Sequence, residues 1–190
     1  MPNFKILLIV FLLSVSAVFG QSSQDEQLMK ELGMNQEELK KLELFISQIQ
    51  QVNGMIKEEN WSVKISNAFA LTESGNELSN SLVRGSIELY HDNSNLRKMK
   101  WNRGGKNASK ITEFYYDANG KLLGIGEEDG KTIKFIVLEN NLIFLAVEME
   151  RKENSTFKSI PKVDLKKEVD KFIKLATTLP DLLDILLEQD

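Results

Sequence analysis

Apolar residues keep three different rhythms along this chain, and each rhythm predicts a different element. Over residues 6–13 they are unbroken. From Asn35 to Glu59 they recur every three or four positions. Leu39, Leu42, Phe45, Ile46, Ile49, Val52 and Ile56 share one side of a helix, with Lys, Glu and Gln on the other. Asn35 and Glu38 stand where a reciprocal N-terminal cap needs them: the Asn side chain accepts from a free amide of the first turn, and Glu38 reaches back. Gly33 separates this helix from a helical turn over residues 26–32, and Gly54 weakens its far end.

From Trp61 the period becomes two. Trp61, Val63, Ile65, Phe69 and Leu71 alternate with polar or small residues, interrupted at Asn67, as in a half-buried strand. Further strands are expected over residues 82–91, 96–101, 111–116, 121–127, 132–138 and 142–150. Turn residues separate them. Asn119-Gly120 is expected to be a tight hairpin turn with positive φ at both positions, Asp129-Gly130 a second of the same kind, and Asn140-Asn141 joins the last pair. Connections this short admit only antiparallel pairing, because a parallel crossover takes roughly a dozen residues or more. Residues 151–162 read as a polar loop closing at Pro161. A second amphipathic helix over residues 164–179 presents Leu165, Val169, Phe172, Ile173 and Ala176. Pro180 interrupts it, and Asp181 can cap a new start carrying Leu182, Leu183, Ile185, Leu186 and Leu187. That last segment is apolar on more than one face. It is expected to dock in the core; the alternative is a sticky helix for a membrane surface, a lipid or a protein. The predicted fold is α+β: an antiparallel β-meander of about seven strands, with an N-terminal helix and C-terminal helices packed on one face.

The unbroken run near the start is a secretion signal in its three parts. Lys5 supplies the charge, residues 6–13 the apolar core, and residues 14–20 a small-residue tail. The uncharged stretch over residues 6–20 is shorter than the roughly 20 residues a membrane-spanning helix needs. Cleavage is expected after Gly20, with a second site after Ala17, leaving residues 21–190 as a single α+β domain that works in the periplasm or outside the cell. No transmembrane segment is expected in the mature chain. Removing Lys5 with the signal leaves 23 basic and 28 acidic residues, a mild acidic balance that favours solubility and gives no footprint for nucleic acid.

The chain has no cysteine, which removes disulfides, thiolate zinc sites and thiol catalysis. His91, the single histidine, precedes Asp92 on a strand, where neighbours point to opposite faces. It reads as exposed polar surface near a turn. Asp117, Asn119 and Glu128 begin and close like a calcium loop, but Leu122 occupies the position that requires glycine. Glu127-Glu128-Asp129 reads as a solvated turn, and the basic run over residues 97–103 as a solvated strand face and loop. No carboxylate spacing singles out a glycosidase pair, and neither a Gly-x-Ser-x-Gly elbow nor a phosphate-binding glycine loop occurs. Sequons stand at Asn60, Asn107 and Asn154. No residue is assigned a catalytic, cofactor-binding or metal-ligating role, and no cofactor is expected.

The segments Gly85-x-Ile87-x-Leu89, Leu96-Arg97-Lys98-Met99 and Thr112 to Leu123 carry a Tyr-Tyr-Asp-x-Asn-Gly-Lys-Leu hairpin. Over residues 45–128 the chain resembles small exported proteins of unknown function from Bacteroidetes-type bacteria. That resemblance implies a helix preceding the sheet and a signal ending before Gln21; it brings no activity and no site residue. The expected function is that of an exported, non-catalytic binding or interaction protein, its partner a protein or a small hydrophobic ligand. The alternatives are a carrier of a lipid or other hydrophobic ligand and a carboxylate-dependent hydrolase. Intact mass of the secreted protein checks the first step: the mature chain should begin at Gln21, and material retaining residues 1–20 contradicts the signal.

Overall fold

The computed structural model describes residue 26 and residues 29–58, 61–66, 69–70, 82–83, 85–93, 95–103, 110–150 and 157–187. The expected signal segment, the three sequon asparagines and Asn67 lie outside the described residues. Helix α1 (Gln36–Glu58) is followed by strands β1 (Ser62–Ser66), β2 (Phe69–Ala70), β3 (Leu82–Val83), β4 (Gly85–Asp92) and β5 (Asn95–Arg103). Then come β6 (Lys110–Tyr116), β7 (Leu122–Glu128), β8 (Thr132–Glu139), β9 (Leu142–Glu150), β10 (Phe157–Ser159) and helix α2 (Lys162–Leu187). The fold is α+β. An eight-stranded sheet runs in the order β1-β4-β5-β6-β7-β8-β9-β10, every pair antiparallel, and β2 and β3 form a separate two-stranded ribbon. β10 lies in the segment expected to be loop.

The cap at the start of α1 is the expected one. Asn35 N donates to Glu38 Oε2 at 3.0 Å, and Glu38 N donates to Asn35 Oδ1 at 3.0 Å. The hairpins differ from expectation in their turn geometry. At Asn119-Gly120 only Gly120 has positive φ, 78°. The loop has three residues, with Asp117 and Lys121 paired across it by a backbone bond of 2.9 Å. Asp117 Oδ1 accepts from the amides of Asn119 and Lys121 at 2.8 and 2.9 Å, so the aspartate supplies the turn and the glycine its left-handed third residue. At Asp129-Gly130 the glycine is the first of two central residues, the Gly-first pattern of a type II′ turn. Positive φ at both central positions occurs instead at Asn140 and Asn141, at 52° and 60°.

The helices pack on opposite faces of the sheet, where a single shared face was expected. Phe114 meets Phe172 of α2 edge-on at 5.9 Å, while its neighbour Tyr115 meets Phe45 of α1 edge-on at 6.1 Å. Adjacent strand residues point to opposite faces, so the sheet is the middle of three layers. The α2 side buries Ile87, Leu89, Met99, Phe114, Ile125 and Ile136 against Leu165, Val169, Phe172, Ala176 and Leu179. The α1 side buries Tyr115, Val137, Leu145 and Val147 against Leu42, Phe45, Ile49 and Val52. The cause is visible in β8, whose residues 135–138 are apolar without alternation, the mark of a strand covered twice.

α2 also runs on past Pro180, where an interruption was expected. A proline there removes the bond to the carbonyl four residues back, that of Ala176. Tyr116 of β6 replaces it: its hydroxyl donates to the Ala176 carbonyl at 2.9 Å. The backbone of Leu182–Leu187 is helical, but the burial expected of those leucines lies outside the described residues.

Docking of α1 depends on a glycine. A Cβ built on Gly124 would come within 2.5 Å of both the Phe45 ring and the Ile136 carbonyl oxygen. At Gly126, two residues on, the nearest atom is a Tyr115 ring carbon at 3.8 Å. Gly124→Ala should therefore cost about 1–3 kcal/mol by overpacking, and Gly126→Ala well under 1 kcal/mol. Denaturation midpoints at constant m-value check this, and equal shifts for the two variants contradict it.

Candidate functional site

Six polar side chains form a grid on the α1 face of the sheet, beside the helix. Register places Tyr90, Lys98 and Tyr115 in one cross-strand row over β4, β5 and β6. Glu88, Lys100 and Glu113 form the next row. Each tyrosine hydroxyl donates to the glutamate two residues before it: Tyr90 to Glu88 Oε2, and Tyr115 to Glu113 Oε2 at 2.6 Å. The lysines complete the charge balance. Lys98 Nζ stands 2.8 Å from Glu113 Oε1, and Lys100 Nζ 3.2 Å from Glu88 Oε1. α1 joins the grid through Asn53, whose Oδ1 accepts from Lys98 at 2.7 Å and whose Nδ2 donates to the Tyr115 hydroxyl at 3.4 Å. The Lys98 ammonium also lies 5.1 Å from the centre of the Tyr115 ring.

Between this grid and the C-terminal half of α1 a cleft of about 130 Å³ opens. Gly126 lies in its floor, where the missing side chain leaves the space. Ile46, Ile49, Ile111, Ile133 and Phe135 give it apolar walls; Gln50, Asn53, Tyr115, Glu113 and Glu128 give it polar groups. On the opposite face a buried charge cluster ties the strands to α2. The Glu127 carboxylate, 2% exposed, meets Arg103 at 2.6 Å and Lys110 at 2.8 Å, and Lys110 reaches Glu168 of α2 at 3.7 Å.

The electrostatics of the grid oppose acid–base work. Burial and the neighbouring Glu88 raise the Tyr90 phenol above its ordinary 10.0. Burial and Glu113 raise Tyr115 well above the same value, and burial alone raises Tyr116. Burial pushes the Glu88 carboxyl up, but Tyr90 and Lys100 outweigh it and leave the group lowered from 4.5. Both oxygens of Glu88 and of Glu113 already accept hydrogen bonds or face an ammonium. A carboxylate held this way is a fixed wall, and at Glu88 the lowered pKa is poorly matched to neutral-pH proton transfer.

The residues weighed from sequence end up elsewhere or in other roles. His91 is buried, 7% exposed, where exposed surface was expected, because it continues the buried row of Ile87 and Leu89 along β4 at the period of two. Leu122 is buried in the α2-side core, and Glu127 is buried rather than part of a solvated turn. The basic run is likewise no solvated face. Arg97, Lys98, Lys100 and Arg103 pair with Asp92, Glu113, Glu88 and Glu127 respectively. Among the described residues no group of three or more His, Cys, Asp or Glu is placed to hold a metal ion, and no helix is long and apolar enough to cross a membrane. Sequence reasoning missed the grid, although a signal existed: Glu-x-Tyr occurs at 88–90 and again at 113–115, flanking Lys-x-Lys at 98–100. Compared with protein-family models, curated proteins and solved structures, the chain matches none of them.

Tyr90, Tyr115 and Tyr116 are all the tyrosines of the chain, and all are raised. A phenol raised by folding contributes stability that is complete below pH 10 and is lost as pH climbs past that ordinary value. Ultraviolet titration should therefore show no tyrosinate in the folded protein near pH 10, then cooperative ionisation on alkaline unfolding. Tyrosinate growing smoothly from pH 9 in folded protein contradicts the grid.

Proposed function

We propose that this chain is an exported, non-catalytic binding protein, working in the periplasm or outside the cell, whose α1-side cleft receives a single side chain of a protein partner. The observation that carries this reading is the cleft over Gly126: a small concave site with apolar walls and fixed polar groups on a rigid sheet. Its size favours a side chain over a lipid. Small-molecule pockets run roughly 300–1,000 Å³, whereas this one is about 130 Å³. Both sheet faces are filled by the chain's own helices, which argues for interaction ahead of carriage. The hydrolase reading loses support because the Glu113 carboxylate is occupied by Lys98 and Tyr115.

Gly126→Leu tests the site, because Gly126 lines the cleft and a Cβ there meets nothing closer than a Tyr115 ring carbon at 3.8 Å. The variant should keep the wild-type denaturation midpoint and lose at least tenfold in affinity for whatever partner the wild-type mature protein retains from its own cell-envelope fraction. Equal binding by both proteins contradicts the reading. A lipid carried through native mass spectrometry by wild type and variant alike supports carriage instead.

A further inference from the structure

We infer that the side chain received by the α1-side cleft is an uncharged aromatic ring, that of a phenylalanine or tyrosine on the partner; this rests on the binding reading above. β7 carries two bare positions on one face, Gly124 and Gly126, two residues apart. The first shows what such a position takes. A Cβ added at Gly124 would come within 2.5 Å of Phe45, so that ring fills the space a side chain would use, edge-on to Tyr115 at 6.1 Å. At Gly126 the cleft takes the place of the ring. Register sets Phe135 of β8 directly beside Gly126, and on the β6 side a Tyr115 ring carbon lies 3.8 Å from where its Cβ would be. A second ring laid on this strand therefore finds an aromatic neighbour on either side.

Charge and size point to the same occupant. Each carboxylate lining the cleft already has a partner on the chain: Glu113 holds Lys98 and Tyr115, Glu127 holds Arg103 and Lys110, and Glu128 is engaged as well. A charged occupant would give up its water between Ile46, Ile49 and Ile133 and find no unpaired counter-charge in return. A ring offers those walls an apolar face, and it turns a weakly positive edge toward the Glu113 side. The space suits it too. An apolar cavity of about 150 Å³ takes one benzene molecule, and the cleft is about 130 Å³.

Amide-shift titration of the mature protein with N-acetyl amides of phenylalanine, cyclohexylalanine, leucine and lysine tests the class. The phenylalanine compound should shift the Gly126, Ile133 and Phe135 amides saturably, move the Gly126 α-protons upfield by its ring current, and be insensitive to added salt. The other three should bind at least fivefold more weakly. The response should vanish in Gly126→Leu and weaken at least threefold in Gly126→Ala, which serves alone if the leucine variant does not fold. If the cyclohexyl, leucine or lysine compound binds as well as phenylalanine, the aromatic assignment is overturned while the cleft remains a binding site. If no compound shifts these amides but the Gly126 variants still lose partner capture, the assignment is again overturned and the binding reading stands. If the Gly126 variants change neither response nor capture, both are overturned.

Discussion

Two consecutive tyrosines in β6 hold the three layers together. The Tyr115 side chain leaves the strand toward α1, packs edge-on against Phe45 and shares a hydrogen bond with Asn53. Tyr116 leaves toward α2 and donates to the Ala176 carbonyl. Period-two geometry makes this division unavoidable: a strand buried on one face can anchor one helix, whereas neighbouring aromatics on a strand buried twice anchor one on each side. The Asp117 turn that follows fixes where β6 ends, and so fixes the register at which both tyrosines meet their helices.

The polar grid depends on the same anchor. Tyr115 is at once the aromatic that receives Phe45 and the hydroxyl that orders Glu113, which in turn holds Lys98. A buried ion pair contributes little net stability when its desolvation is counted, so the grid is better understood as specifying position than as adding strength. It keeps the half of the sheet face beside α1 polar, and with the bare backbone of Gly126 it leaves a cleft where a larger residue would have filled the space. Gly124 does the opposite two residues earlier, since its missing side chain is occupied by Phe45.

Much of this was legible in the chain, and the failures have identifiable causes. The strand segments, the capped amphipathic helix and the antiparallel meander follow from local periodicity and short turns, although the expected strands over 61–71 and 82–91 each give up one end to the separate β2–β3 ribbon. The side on which each helix packs is not local information, yet a trace of it exists: the apolar runs at 135–138 and 142–147 lack alternation and call for two covers. Pro180 does not end the helix although it lacks a donor, because a tyrosine 64 positions earlier supplies the replacement, a partner that local sequence does not reveal. Lys98 and Lys100 looked solvated because charge alone does not reveal that the facing strands carry Glu-x-Tyr in matching register. The turn chemistry at Asn119-Gly120 was misread for a smaller reason: Asp117 hydrogen-bonds the loop into three residues, a choice the Asn-Gly pair does not dictate.

Nuclear Overhauser contacts from the two tyrosine rings test the three-layer arrangement most directly. The account predicts that Tyr115 ring protons contact the Phe45 ring and no proton of α2, while Tyr116 ring protons contact the Ala176 methyl and no proton of α1. Contacts from both rings to the same helix would contradict it.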